Sequence, residues 1–513
     1  MDRTDKVIVT NASALWKKHH TTGMHKVGIA INAMVRADRQ RGLTTRVIAI
    51  DRKLDMRGIG KTVSRASDAR QAKRAIDDIF RELAPDYLVI LGAPDVIPHV
   101  LLRNPVPGKD EEKWVESDLP YACDAGYARE IKPFLGPTRV VGRLPDVMGN
   151  GDTPHFVRVI RHATRVRPGA RSRYTGCFAL SADAWSQSTA ATLKRLYGKP
   201  RTVRESPPLA PPWGKGAVAG RLHFFNCHGE VTSHTYYGEN ARNEDHQPVA
   251  YTAHDVRKAR AGTLVASECC YGAELYQPQA GNPRSIAQTY LDGGACAFFG
   301  STNTSWGEPV GRNFADILCA GFVSAVLAGA STGRAALQAR IEYIKLGGYM
   351  EAVDLKTIAQ FILIGDPSVH PVTPKKQKAT AVSKSRRRSQ RRARRKRLER
   401  AGAVLADTTA SVASRADTRA SREILPRLAR EVQKRGARAE TIASFKLHPP
   451  KQRVHASKGR RLAAADTTFH VIVLEKPAKP VRRRGRAVRH AEKMLVVREV
   501  NGRVERVVEA VRK

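Results

Sequence analysis

Residues 222–230, LHFFNCHGE, and residues 263–276, TLVASECCYGAELY, decide how this chain is read. Each is a short apolar run that ends in a reactive residue. The first delivers His228 followed by Gly229. The second delivers Cys269 and Cys270, followed by Tyr271 and Gly272. Runs of about four to six apolar residues closed by a polar one read as buried strands of a parallel sheet. In open α/β sheets the functional residues sit just past the carboxyl ends of such strands. If these two strands are neighbours, an imidazole and a thiol stand over one crevice. That is the minimum apparatus for a cysteine nucleophile with a histidine base.

Neither residue would carry this reading alone. A cysteine after a strand is more often a buried small hydrophobe than a nucleophile, and a lone histidine is more often a satisfied core or surface residue. The pairing favours chemistry. Both follow apolar runs, both lie close before a glycine, and they are 42 residues apart, about one strand–helix–strand repeat. His246 and His254 compete for the role of base, but neither follows an apolar run.

Working outward, KVIVT (6–10), the run 47–50 and YLVIL (87–91) read as strands, with helical stretches around 27–39 and 68–83 between them. Ser67 or Asp68 caps the second helix and Pro85 stops it. This β-α-β alternation predicts a parallel sheet covered by helices. GIGKT (58–62) echoes the end of a phosphate-binding loop, but Asp55 stands where that pattern needs a glycine, so a surface loop is the better reading. Residues 100–137 read as a long loop, with Ser117, Asp118 and Tyr121 in a structural turn. Strands are expected over 139–144, 174–182, 295–299 and 361–364, and helices over 188–197, 314–328 and 332–344. Asp366 falls in a closing turn and reads as structural.

The 513 residues are enough for two or three domains. The formal net charge of +41 is uneven: residues 375–513 carry +29 and residues 1–374 carry +12. Such asymmetry points to an anionic partner, nucleic acid first and a membrane surface second. The run SRRRSQRRARRKRLER within 375–400 reads as solvated or docked on polyanions, 403–440 as helical, 441–457 as loop, and the end as a small β element turning at Asn501-Gly502. Aromatics are scarce there, so nucleic-acid binding would be led by phosphate. Seven cysteines without regular spacing predict free thiols and a reducing, cytoplasmic setting. Neither a signal peptide nor a membrane-spanning run is read, and no spacing calls for a metal or cofactor.

Glu268-Cys269-Cys270-Tyr271-Gly272, with His228-Gly229 upstream, resembles the caspase-like cysteine peptidases. There one strand ends in His-Gly and a later one in an acid or amide, a small residue and the catalytic cysteine. More narrowly, the chain is similar to the gingipain-type family. DYLVILGAPDVIP (86–98), SDLPYACD (117–124), TRVVGRLPDV (138–147), GACAFFGSTNTSW (294–306) and FILIGDPSV (361–369) recur in the family's order. The resemblance spans residues 1–374. It implies a caspase-like three-layer α/β/α fold with a mostly parallel sheet. The expected organisation is a smaller N-terminal α/β subdomain (1–165), a peptidase subdomain (166–374), a basic linker with a helical segment (375–440) and a small basic C-terminal region (441–513).

The implied function is that of a cysteine endopeptidase, cleaving after Arg or Lys and able to process its own basic tail. The alternative is a nucleic-acid- or polyanion-binding protein with a vestigial or regulated caspase-like domain. By the resemblance, Cys270 is the nucleophile and His228 the proton carrier. The amides of Gly229 and Cys270 form the oxyanion hole, Trp306 walls the S1 pocket and Asp183 binds a basic P1 side chain. Plainer readings stand beside these: Asp183 caps the helix over 188–197, and Trp306 is a core tryptophan. Some family members place a glycine three residues after the nucleophile, which selects Cys269, whereas the acid two places before selects Cys270. Strand alternation lets only one of the two face the crevice. The family pattern requires no third residue to orient the histidine, although Asn226 could share its side of the strand.

Overall fold

The computed structural model describes residues 4–106, 112–279, 281–308, 313–346 and 352–374, then Leu428, Val432 and the strands between 438 and 512. In chain order the strands are β1 (Lys6–Thr10), β2 (Thr45–Ala49), β3 (Tyr87–Leu91), β4 (Val100–Arg103), β5 (Trp114–Ser117), β6 (Val141–Leu144), β7 (Cys177–Ala182) and β8 (Arg204–Ser206). Then come β9 (Leu222–Asn226), β10 (His228–Gly229), β11 (Thr235–Tyr237), β12 (Val249–Thr252), β13 (Leu264–Ser267), β14 (Ala297–Ser301), β15 (Trp306–Gly307) and β16 (Phe361–Ile364). The C-terminal quarter adds β17 (Arg438–Leu447), β18 (Thr467–Glu475), the short pair β19 (Arg482–Arg483) and β20 (Arg486–Ala487), β21 (Lys493–Val500) and β22 (Arg503–Arg512).

One ten-stranded sheet organises the body, in the order β2-β1-β3-β6-β16-β14-β13-β9-β7-β8. Its central runs are Val-, Ile-, Leu- and Phe-rich and buried on both faces, as a sheet covered by helices requires. Every pairing is parallel except β14 with β16. Helices Ala12–Gln40, Thr153–Arg165 and Ile286–Asp292 pack as one group, and Ser186–Tyr197, Ala315–Leu327 and Thr332–Leu346 as another. Two separate helix groups on one sheet give the three-layer α/β/α arrangement expected, consistent with a caspase-like fold. Helix Ala69–Leu83 starts as anticipated, with the Asp68 carboxylate accepting from the Gln71 amide at 3.0 Å.

Two buried ion clusters tie distant parts of the chain together. Lys6 on β1 donates to Asp366 at 2.6 Å and lies 2.9 Å from Asp38, all three wholly buried. Burial pushes the Asp38 carboxyl up. Burial also opposes ionisation of Asp366, but Lys6 outweighs it and holds that carboxyl down. Asp366 also accepts from the Ser368 amide and hydroxyl, so it is structural, as the turn chemistry predicts. Likewise Asp118 holds Arg143 through two hydrogen bonds and His99 through a third.

Two expectations need correction. Residues 100–137 are not all loop: β4 and β5 form an antiparallel hairpin, and alternate residues of VLLR are buried. Its prolines, glycines and charges concealed that alternation. Residues 441–447 belong to strand β17 rather than a loop, because ETIASFKL pairs along β18. The expected hairpin of β21 and β22 is present, while its Asn501-Gly502 turn and the basic run 375–400 lie outside the described residues. The C-terminal strands join a second sheet, β15-β22-β21-β18-β17, whose first strand belongs to the body. Among the described residues no helix is long and apolar enough to cross a membrane.

Candidate active site

Strands β9 and β13 are parallel neighbours, with Ser267 opposite Phe225 and the Glu268 amide donating to the Phe225 carbonyl at 2.9 Å. Their carboxyl ends therefore open at the same edge. His228-Gly229 and Cys269-Cys270 each begin two positions beyond the respective ends, after Cys227 and Glu268. The two segments touch through their main chains. A methyl group built at Gly229 would stand 1.8 Å from the Cys270 carbonyl oxygen. Only a residue without a side chain allows that approach.

The two adjacent cysteines face different surroundings, as strand alternation demands. Cys269 lies in the main hydrophobic core beside Cys227, whose thiol burial pushes well up. Cys270 is absent from that core and instead meets the 301–306 loop after β14. Its thiol accepts from the Ser305 amide at 3.1 Å and faces the Ser305 carbonyl at 3.5 Å. Tyr271, directly after it, has φ of 54°. That left-handed backbone is strained for a tyrosine, and such strain gathers at functional sites. Burial pushes the Cys270 thiol up to about 12, against the Ser305 amide and the nearby Arg512 and Lys356 charges, which pull it down.

His228 is held from three sides. Its Nε2 lies 2.5 Å from the Glu239 carboxylate and 3.3 Å from Gln247 Nε2. The Trp185 ring meets the imidazole edge-on at a centroid distance of 4.5 Å. Glu239 is the residue that sequence reasoning missed as a partner of the histidine. It follows β11, which pairs with β10 in a small antiparallel sheet, and that local turn returns the carboxylate to the imidazole. A lone acid after Tyr-Tyr-Gly offers no periodic signal. Asn226 does not orient His228; its amide donates to the Thr189 hydroxyl. His246 and His254 are both exposed.

Trp306 is buried in a cluster with Phe314, Val353 and the C-terminal residues Met494, Val496, Val508 and Ala510. The Asp183 carboxylate accepts from the Ala241 amide at 3.0 Å. It does not cap helix Ser186–Tyr197, whose N-cap is Trp185, so the plainer reading of Asp183 is replaced. The loop that carries Ser305 is braced by the N-terminal half: Glu112 accepts from the Thr304 amide at 2.8 Å and from Lys356 at 2.7 Å. A cavity of about 490 Å³ lined by residues including Arg65, Arg70, His99 and Arg129 lies elsewhere and contains none of the predicted residues. None of the seven cysteines is in a disulfide. Among the described residues, no group of three or more His, Cys, Asp or Glu is placed to hold a metal ion.

Residues 219–372 match peptidase family C25, the gingipain family. The matched segment runs from just before β9 to beyond β16 and carries His228, Cys270 and Trp306. It covers less than half of the chain, supports a cysteine peptidase for this part and agrees with the motif resemblance. A solved structure titled "Structure of Protease" aligns with 99% of this chain and 97% of its own, at 12% identity and a TM-score of 0.43. No curated protein matches the chain.

Proposed function

We propose that the chain, whose residues 219–372 match peptidase family C25, is a cysteine endopeptidase acting through Cys270 and His228. The observation that carries this reading is the main-chain contact between Gly229 and Cys270 at the joined ends of two neighbouring strands. With Nε2 engaged by Glu239, Nδ1 of His228 is the nitrogen that takes the thiol proton. The Cys270 sulfur then attacks the substrate carbonyl carbon, and the C–S bond forms as the C=O π bond opens onto oxygen. The amides of Gly229 and Cys270 receive that oxyanion. As it collapses, the C–N bond breaks and the amine leaves with the proton from His228. Water, deprotonated by His228, cleaves the thioester and returns the thiol. Glu239 acts as a positioning residue that stabilises the imidazolium.

The preference for Arg or Lys at P1, and processing of the chain's own basic tail, follow from the resemblance and belong to this proposal. Asp183, on the same loop cluster as Glu239, is its candidate acid. A reducing, cytoplasmic setting suits the seven free thiols.

The test is hydrolysis of fluorogenic peptides varied at P1. Cleavage after Arg or Lys is expected for the unmodified chain and for Cys269→Ala, and is abolished in Cys270→Ala. Loss in Cys269→Ala with retention in Cys270→Ala would reverse the assignment. Hydrolysis surviving both substitutions would remove it.

A further inference from the structure

The strand that covers the candidate site comes from the chain itself. β22 pairs antiparallel with β15, Arg512 opposite Trp306 and Val511 opposite Gly307. Trp306 directly follows Ser305, whose amide and carbonyl hold the Cys270 thiol. Arg512 is also the foremost charge acting on that thiol. So the end of β22 reaches the wall beside the candidate nucleophile in extended form, paired with an edge of the body, and its last residue, Arg512, is close enough for its charge to act on the sulfur.

Its neighbouring side chains grip the same wall from both faces. Val508 and Ala510, on the face shared with Arg512, pack on Trp306. Val511, on the opposite face, packs with Ala182 and Trp185. Trp185 in turn holds the His228 ring. Main-chain pairing along an open edge, with alternate side chains seated in pockets, is how extended peptides are recognised. Arg512 also suits the basic P1 preference. The thiol beneath is buried and held neutral, a state in which cysteine is inert rather than nucleophilic.

We propose that β22 occupies the substrate cleft as a bound peptide would, so that turnover by the intact chain is slowed by the need to displace this strand first. This inference rests on the peptidase reading for the word substrate. The occlusion itself is read without hydrolysis.

The experiment measures alkylation of Cys270 by iodoacetamide, mapped by mass spectrometry, in the full chain and in two full-chain variants. Ala510→Arg forces a long charged side chain against Trp306, and Val511→Asp places a carboxylate against Trp185. Both are expected to raise the Cys270 alkylation rate by about tenfold or more, the factor given by ~1.4 kcal/mol of lost docking. Equal rates in all three chains would overturn the proposal. If alkylation rises without hydrolysis of any peptide, the occlusion stands and the peptidase reading falls. A second measurement needs no variant. After N-ethylmaleimide has modified Cys270 in the unaltered chain, deuterium exchange in the segment 503–512 is expected to accelerate, because the adduct takes the strand's place. Unchanged protection there with Cys270 fully modified would equally overturn the proposal.

Discussion

Replacing Gly229 by alanine tests the geometry of the site most sharply. The added methyl would stand 1.8 Å from the Cys270 carbonyl oxygen and 2.8 Å from its carbonyl carbon. An ordinary C···O contact is about 3.3 Å or more, so the two segments must part by roughly 1.5 Å. The obstacle is backbone on a buried strand end, so no rotamer can relieve it. A misplacement of about 1 Å between reacting groups can cost on the order of 10²-fold in rate. We therefore expect kcat/KM on an arginyl fluorogenic peptide to fall by about 10²-fold or more, which is ~2.7 kcal/mol of transition-state stabilisation. Overpacking adds about 1–3 kcal/mol of lost stability, read by thermal melting followed by circular dichroism. Gly28→Ala is the control, since beyond its own helix backbone nothing lies within 4 Å of the added methyl. It sits within helix Ala12–Gln40 and should gain about 0.5–1 kcal/mol with activity unchanged. A Gly229→Ala chain that melts normally and keeps kcat/KM within about threefold, under ~1 kcal/mol, would refute the contact as a catalytic constraint.

Glu239→Gln keeps the shape beside His228 but removes the charge that stabilises imidazolium. A drop in kcat of about 10²-fold is expected, with KM little changed and partial recovery in Glu239→Asp; steady-state kinetics showing a rise in KM alone would contradict this. Lys6→Met leaves Asp366 buried without its cation and Asp38 with Arg41 alone, at 3.6 Å. Urea unfolding should register a loss of about 3–5 kcal/mol. Glu274 is pushed up to about 8 by burial, against the Thr232 amide that accompanies it at 2.7 Å. Below the ordinary glutamate value of 4.5, folded and unfolded chains both hold the proton. Between there and about 8 the unfolded chain releases it while the folded chain keeps it, so this group's stabilising contribution is lost as pH rises. Glu274→Gln should flatten the fall in melting temperature across that window; an identical slope in variant and parent would exclude the effect.

The strands that build the site were legible because their burial is written locally. LHFFN and TLVAS are largely apolar and buried throughout, as a covered parallel sheet requires, and the candidate reactive residues follow within two positions. The orientation of Cys270 against Cys269 was half legible. Period-two alternation says that one faces the crevice and one the core, but the choice needed the 301–306 loop that meets Cys270 and the Cys227 side that receives Cys269. Glu239 was not legible at all. It reaches His228 through a hairpin whose register is set by pairing between β10 and β11, and no composition or period marks the acid that will return.

The basic C-terminal region shows why composition can mislead about purpose. A surplus of +29 over residues 375–513 points to polyanions because composition counts charge without location. Its last strand is a different object from its Arg-rich run. RVERVVEAVR alternates well enough to be read as a strand, yet alternation names neither its partner nor which edge it will seek. A body with a two-residue edge at Trp306–Gly307, beside the candidate nucleophile, presents main-chain groups that another strand can pair with. For β22 to fill it, the tail had to carry small and branched apolar residues where Trp306 and Trp185 wait, at Val508, Ala510 and Val511. Arg512 then shares a face with Ala510, two positions before it, at the end of the strand whose charge acts on the thiol. In the proposed occlusion, the position of that one arginine, rather than the count of all the others, links the basic region to Cys270.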